Sequence, residues 1–278
     1  MRLSLRDVSK QFTTRQGPLV ALRKTSLEIR SGEFICFVGP SGCGKTTLLN
    51  LVAGLEPPST GEIHRNGEKV EGPGSDRVVI FQEAALFPWL NVIQNVEFGL
   101  VRKVEPKKRR EIARTFLNLV HLGRFEKSYV HELSGGMKSR VAIARALTLN
   151  PSVLLMDEPF AALDAQTRDL LHEELQEIWH KTRQTVLFVT HNVREAVRLG
   201  DRVLVFTARP GEIKKEFQIE LPRPRDINSA GVLTYAQQIQ QELREEIEKV
   251  LQEEVDTGWK LKKTEFLRPA GVDLGSGI

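Results

Sequence analysis

The sequence predicts an α/β fold, a parallel sheet with crossover helices that also carries a small antiparallel sheet and an inserted helical subdomain. Three observations predict it. The short apolar runs "FICFVG", "SVLLMDEP" and "QTVLFVTH" have the length and composition of strands buried on both faces. Amphipathic stretches such as "TRDLLHEELQEIWHKT" separate such runs, the alternation of crossover connections. From about 83 to 150 the apolar spacing is that of helices throughout, which marks an insertion.

The elements follow in order. "RLSLRDVSKQF" and "TSLEIRSGEF" alternate apolar and polar residues like half-buried strands. The buried strand "FICFVG" leads into a helix, "TTLLNLVAGL", that ends at Gly54. The Asn66-Gly67 pair in "GEIHRNGEKV" predicts a tight hairpin, and "RVVIF" is a further strand ending at Gln82. In the insertion, "RREIARTFLNLVHL" and "KSRVAIARALTL" are the clearest helices. "RVLVFTARPGEIKKEFQIEL" reads as a closing pair of strands around Pro210-Gly211, and "LPRPRD" as a boundary. Past it, "YAQQIQQELREEIEKVLQEEV" places Ile239, Leu243, Ile247 and Val250 on one helical face, and the terminal "AGVDLGSGI" reads as frayed. The expected division is therefore 1–222 for the main domain and 223–278 for a helical extension and tail.

Composition narrows the function classes. In 278 residues, no apolar run approaches the roughly 18 to 20 needed to cross a bilayer, and "MRLSLRDVSK" lacks the apolar stretch of a secretory signal. A cytoplasmic location is expected. The two cysteines, Cys36 and Cys43, fall in one strand-and-turn stretch and are expected to be reduced thiols, Cys43 close enough to a bound ligand for alkylation to block binding. A net charge of +4 is mild. Its densest source, "KKRR" at 107–110, reads as a solvated helix face, with anionic lipid as the alternative; no interleaved aromatics point to nucleic acid. His64, His121, His131, His172 and His180 have no metal-ligand spacing.

The chemistry is concentrated in two stretches. "GPSGCGKTT", comprising Gly39, Pro40, Ser41, Gly42, Cys43, Gly44, Lys45, Thr46 and Thr47, fits the phosphate-binding pattern G-x-x-x-x-G-K-[ST] between a buried strand and a helix. Its backbone N–H groups and helix dipole suit phosphate oxygens; Lys45 is placed to reach the β- and γ-phosphates, and Thr46 to ligate Mg²⁺. The strand "VLLMDE" delivers Asp157, for the Mg²⁺ shell, and Glu158, for activating a water, at the sheet edge where ligands bind. Gln82 can reach Mg²⁺ or the water through its amide oxygen, and His191 can bridge Glu158 and the γ-phosphate. A second, partial cradle, Ser134, Gly135 and Gly136 ahead of a helix, can clamp a phosphate but has no lysine of its own.

With these residues, positions 1 to 220 resemble the ATP-binding subunit of an ABC transporter. "LSGGM" at 133–137 matches that family's signature motif and "AALD" at 161–164 its D-loop. Gln82 falls at the Q-loop, His191 at the switch histidine and Phe12 at the aromatic that stacks on adenine. The resemblance implies a RecA-like P-loop core hydrolysing ATP with Mg²⁺, catalytic Lys45, Gln82, Glu158 and His191, Asp164 at the nucleotide, and a head-to-tail dimer in which one chain's Lys45 and the partner's Ser134 grip the same ATP. It further implies a peripheral place on the cytoplasmic face of the membrane, transmembrane permease subunits as partners, indirectly an extracytoplasmic solute-binding protein, and no nucleic acid. "FQEAALFPWLNVIQNVEFGL" and "TARPGEI" resemble importers of the nitrate, sulfonate and taurine class, and "FPWL" at 87–90 is a candidate permease surface or else the insertion's own core. Asn192, Val130 and Ser139 depart from the family pattern, and the rival reading is a soluble ABC ATPase acting mechanically on ribosomes or DNA.

Overall fold

The computed structural model describes residues 1–15 and 17–256; the expectation for "AGVDLGSGI" falls outside them. The elements are β1 (Leu3–Thr14), β2 (Gly17–Ile29), β3 (Phe34–Val38), α1 (Lys45–Ala53), β4 (Thr60–Arg65), β5 (Glu68–Lys69) and β6 (Arg77–Ile80). Then come α2 (Val92–Glu97), α3 (Pro106–Leu119), α4 (Gly135–Leu147), β7 (Val153–Asp157), α5 (Ala165–Thr182), β8 (Thr185–Val189), α6 (Val193–Leu199), β9 (Arg202–Phe206), β10 (Ile213–Gln218) and α7 (Ala230–Asp256).

The strands form a 6-stranded sheet in the order β10-β9-β3-β8-β7-β6 and a 4-stranded sheet in the order β2-β1-β4-β5. The large sheet is parallel except for β10, which returns antiparallel to β9. The small sheet is antiparallel, and the Asn66-Gly67 turn joins β4 to β5 with both residues at positive φ, as the sequence predicts. One strand differs from its expectation. "TSLEIRSGEF" is not continuous, because β2 begins at Gly17, ends at Ile29, and is followed by a turn before β3.

Strands β3, β7 and β8 are buried along their whole length, with alternate side chains serving two cores. Phe34, Cys36, Leu154, Met156 and Phe188 face the helical side with Trp179, while Ile35, Phe37, Leu155 and Val189 pack against α1 and the small sheet. Within the insertion, α3 carries "KKRR": Lys107 and Lys108 are exposed, and Arg109 and Arg110 sit 3.4 and 3.7 Å from the nearly buried Glu97 carboxylate. The basic run is a solvated face with one internal anchor.

The C-terminal helix packs differently from its expectation. Val232, Ala236, Ile239 and Leu243 join the helical-side core, but Ile247 is 46 % exposed and Glu246, one residue earlier, is 1 % exposed. Over a helix this long the 3.6-residue period drifts, so the buried stripe has moved on by one position. "LPRPRD", in turn, is clamped rather than loose. Arg225, 5 % exposed, donates to the carbonyls of Val197, Gly200, Ile219 and Leu221 at 2.8, 2.5, 2.9 and 3.1 Å, and burial pulls its pKa down to about 10.

Both thiols are fully buried, in opposite cores, so Cys43, although its loop lines the cleft, is closed to the alkylation expected to block binding. The Cys43 sulfur turns inward, 3.4 Å from Lys45 Nζ, so only its backbone is available to the outside of the loop. Burial also pushes the Cys36 thiol well above its ordinary pKa. Iodoacetamide should therefore label both cysteines on the order of 100-fold more slowly in the native than in the denatured protein, since alkylation waits on local opening. Peptide mass spectrometry over a time course checks this; rapid native labelling of Cys43 would contradict the inward placement.

Candidate functional site

The site forms where three adjacent strands end. Phe37 of β3, Val189 of β8 and Asp157 of β7 are level in the parallel register, so the residues after them emerge at one edge of the sheet. This is the carboxyl edge, where open parallel sheets bind ligands. A cleft of about 430 Å³ opens there, lined among others by Phe12, Lys45, Thr46, Gln82, Glu158 and His191.

The loop between β3 and α1 is a tight curl. Gly44 precedes the helix at φ 96°, and a Cβ there would lie 2.5 Å from the Ala21 carbonyl oxygen, so the position excludes a side chain on both counts. The loop turns its carbonyls inward to Lys45, whose ammonium donates to Gly39 O at 2.9 Å and Pro40 O at 2.8 Å. Lys45 is 6 % exposed, and these bonds offset the desolvation of its charge. The outer rim, with Ser41, Gly42 and Thr46, remains exposed.

At the end of β7, Asp157 is 6 % exposed. Burial raises its pKa, a hydrogen bond from Thr46 works against that rise, Glu158 adds to it, and Lys45 opposes it. A buried carboxylate held in tension beside a threonine hydroxyl suits a hard divalent cation, which takes oxygen ligands and would favour the ionised form. Among the described residues no cluster of three or more His, Cys, Asp or Glu side chains forms a metal cage. Glu158 follows at φ 46°, a left-handed conformation that costs on the order of 1–3 kcal/mol for a residue with a Cβ. Its N–H bond to Val189 O at 3.0 Å fixes it there, and its carboxylate meets His191 Nδ1 at 3.0 Å.

The turn that carries His191 rests on a buried polar chain that the sequence pattern does not signal. Thr190 donates its hydroxyl to Glu195, Glu195 Oε1 meets His172 Nε2 at 2.5 Å, and the Thr190 hydroxyl accepts from Asn192 N–H at 3.0 Å. His172 and Glu195 are 0 % and 4 % exposed, and Phe160, two residues past Glu158, packs edge-on against the His172 ring at 5.0 Å. Asn192, one of the departures, caps α6 by accepting from the N–H groups of Arg194 and Glu195 at 3.1 and 3.3 Å. An asparagine side chain thus fills the helix-capping part of an aspartate here.

Ser134, Gly135, Gly136 and Asp164 are not among the residues lining this cleft. Ser134 caps α4, accepting from Met137 N–H at 3.3 Å, and Asp164 caps α5, accepting from Thr167 N–H at 2.9 Å. The backbone N–H of Thr167 foremost holds the Asp164 carboxyl below its usual range. The two caps are neighbours, since a Cβ on Gly136 would lie 2.9 Å from Leu163. One chain thus carries two separate faces, the cleft and the paired caps of α4 and α5.

The "FPWL" stretch divides between the two readings it was given. Phe87 is half-buried, its ring tilted against those of Phe98 at 4.3 Å and Trp89 at 5.6 Å, whereas Trp89 is 70 % exposed. Asn95, fully buried, fixes the turn by accepting from Phe87 N–H at 2.8 Å and donating to the carbonyls of Phe87, Leu90 and Asn91 at 3.1 Å each. Arg145 of α4 donates to Ala84 O at 3.2 Å and Ala85 O at 3.0 Å and stacks over Phe87, so the segment just past Gln82 is tied to the helix that Ser134 caps. Phe98 and Val101, 47 % and 50 % exposed, are two more apolar side chains left open to solvent in the insertion. No helix among the described residues is long and apolar enough to cross a membrane.

Comparison with known proteins agrees with this geometry. Residues 22–161 match the ABC transporter family. An uncharacterized ABC transporter ATP-binding protein of Methanocaldococcus jannaschii is 50 % identical over 252 residues, covering 90 % of this chain and 94 % of its own. The nitrate import ATP-binding protein NrtD of Synechocystis is 49 % identical over 223 residues, covering 80 % and 84 %, and further relatives are named for the import of aliphatic sulfonates and taurine. Among solved structures, a dimeric ATP-binding cassette in a post-hydrolysis state with ADP and phosphate superposes with a TM-score of 0.73 at 32 % identity, over 79 % of this chain and 100 % of that one. The chain belongs to the ABC transporter family, as one of its ATP-binding, ATP-hydrolysing cassettes.

Proposed function

We propose that two copies of this chain enclose two ATP molecules and hydrolyse them at their shared interface to drive the import of a small anion, of the nitrate, sulfonate or taurine kind, through a transmembrane permease. The observation that carries the reading is the separation of the cleft from the caps of α4 and α5. Lys45, Glu158 and His191 line one cleft, while Ser134 at the head of α4 and Asp164 at the head of α5 stand outside it. A phosphate held by Lys45 can be reached by a Ser134 only if that serine comes from a second chain. The dimeric solved cassette and the import names of the relatives support the same arrangement.

In this reading the exposed rim of the curl takes the phosphates through its N–H groups, and Lys45 exchanges its carbonyl bonds for phosphate oxygens. Phe12, at the far side of the cleft, offers its ring to the adenine. Thr46 and Asp157, with the Gln82 amide oxygen, would hold Mg²⁺, which when bound neutralises charge on the β- and γ-phosphates. Glu158, oriented by its backbone and by His191, accepts a proton from water as the water oxygen attacks the γ-phosphorus and the bond to the β–γ bridging oxygen breaks. The chain works at the cytoplasmic face of the membrane, attached to its permease, which in turn receives solute from an extracytoplasmic binding protein. The soluble mechanical ATPase of ribosome or DNA is disfavoured by the relatives, which are named for the import of nitrate, aliphatic sulfonates and taurine.

Glu158→Gln should lower hydrolysis roughly 10²- to 10⁴-fold while MgATP still binds, because the amide keeps the size of the side chain and removes the base. With turnover stalled, MgATP should convert the monomer to a dimer in size-exclusion chromatography with light scattering, and adding Ser134→Arg should restore the monomer. A Glu158→Gln protein that binds MgATP yet stays monomeric at high concentration would count against the two-chain site.

At the permease surface, Trp89→Ala should cost less than about 0.5 kcal/mol of stability, since the side chain is mostly in solvent. It should nevertheless reduce recovery of the chain with membranes by several-fold. Unchanged membrane recovery together with unchanged transport would remove Trp89 from the interface.

A further inference from the structure

The loop 207–211, which joins β9 to β10, lies against the phosphate-binding curl and is gripped from three sides. Its own ends are closed by Thr207 N–H to Glu212 O at 2.9 Å and Glu212 N–H to the Thr207 hydroxyl at 3.0 Å. On β2, Gly211 N–H donates to Ala21 O at 3.1 Å, and Arg23 N–H to Gly211 O at 2.8 Å. A Cβ on Gly211 would overlap the Cys43 carbonyl oxygen, so loop and curl touch backbone to backbone. From the other side, Glu246 of α7 accepts the Ala208 N–H at 2.9 Å, while its second oxygen meets Lys249 at 2.6 Å and Lys214 at 3.2 Å.

Arg209 stands between these anchors. Its Nε donates to Gly42 O at 3.1 Å, and a terminal nitrogen lies 2.7 Å from where a Cβ on Gly42 would be. The side chain is exposed and lines the same cleft as Phe12 and Lys45. Among the described residues no ion pair is formed by Arg209, whereas Arg202, at the other end of β9, is held by Glu33 and Glu216. A guanidinium without a carboxylate partner, fixed at the rim of a phosphate-binding curl, is suited to an oxyanion.

We propose that Arg209 is a second cationic contact for the nucleotide's phosphates, and that Glu246 is the positioning residue through which α7 holds it over the curl. The proposal rests on the ATP site described above. It also gives the C-terminal helix a part in nucleotide affinity, exerted through a single carboxylate and one peptide N–H.

The test is isothermal titration of the full chain with a non-hydrolysable ATP analogue, with melting curves to establish folding. Arg209→Ala should weaken binding about 5- to 30-fold, the range of a charge-assisted contact at a partly solvated site, and should make affinity less dependent on salt. Arg209→Lys should recover part of the loss. Glu246→Leu, which keeps the packing and removes the acceptor, should weaken binding nearly as much; Glu246→Gln should recover most of that, because its carbonyl oxygen can still take the Ala208 N–H. The double variant Arg209→Ala with Glu246→Leu should bind no more weakly than Arg209→Ala alone. Affinity within twofold of wild type for Arg209→Ala, with binding abolished by Lys45→Ala, would overturn the nucleotide contact and leave the ATP site standing. Fully additive losses in the double variant would overturn the positioning role. Intact binding by Lys45→Ala would instead remove the ATP site itself.

Discussion

The structure turns on one constraint, the approach of bare backbone to bare backbone around the loop from Gly39 to Gly44. A curl that turns the Gly39 and Pro40 carbonyls to one lysine has no room for side chains where it meets β2 and the β9–β10 loop. Gly44 against Ala21 and Gly211 against Cys43 are the two places where that room is taken. From there the rest is dictated. The curl must follow a strand buried on both faces so that it cannot shift, and it must lead into a helix so that its N–H groups share the dipole. Two further strands must end beside it to bring carboxylate and imidazole within reach. The level register of Phe37, Val189 and Asp157 satisfies all of this at once.

The elements of the two sheets that have a pattern of their own were legible: continuous apolar runs for β3, β7 and β8 of the large sheet, the Asn66-Gly67 turn for β4 and β5 of the small one, and a motif at the strand ends that carry chemistry. What was not legible depends on direction rather than identity. Whether Cys43 looks into the core or out toward a ligand is decided by the φ of its glycine neighbours, and sequence spacing carries no sign for that. Ile247 was expected on the buried stripe of α7 because helical spacing was extended at a fixed period, and the drift puts Glu246 there instead. The chain of Thr190, Glu195 and His172 joins residues of α5 to the end of β8, and no local pattern foretells which polar residue will find which partner across a core. Arg209 is equally silent in sequence, since only the folded β9–β10 loop brings it to Gly42.

The buried supports have a common form. Glu158 is strained, exposed enough to meet water, and held by a backbone bond and an imidazole; His191 is exposed and held by a turn braced from beneath; Lys45 is buried and held by carbonyls. Lys45 is fixed by carbonyls outside the cleft lining, and Glu158 by Val189 and His191 within it. Such an arrangement keeps the orientation of the working atoms, which lowers the reorganisation needed when charge develops on the phosphates.

Arg145 links parts that have so far been described separately. It sits near the C-terminal end of α4, whose other end is Ser134, and its guanidinium is bonded to the two carbonyls that follow Gln82 and Glu83. A rigid helix with a clamp at each end behaves as a strut. In the proposed dimer, a pull on the Ser134 end would be passed along the helix to the Arg145 end and the segment bearing Phe87 and Trp89. From Ser134 to Arg145 the strut is about 16 Å long, taking 11 residues at 1.5 Å each, and in that dimer events at a phosphate would reach the exposed indole's segment as displacement rather than as charge.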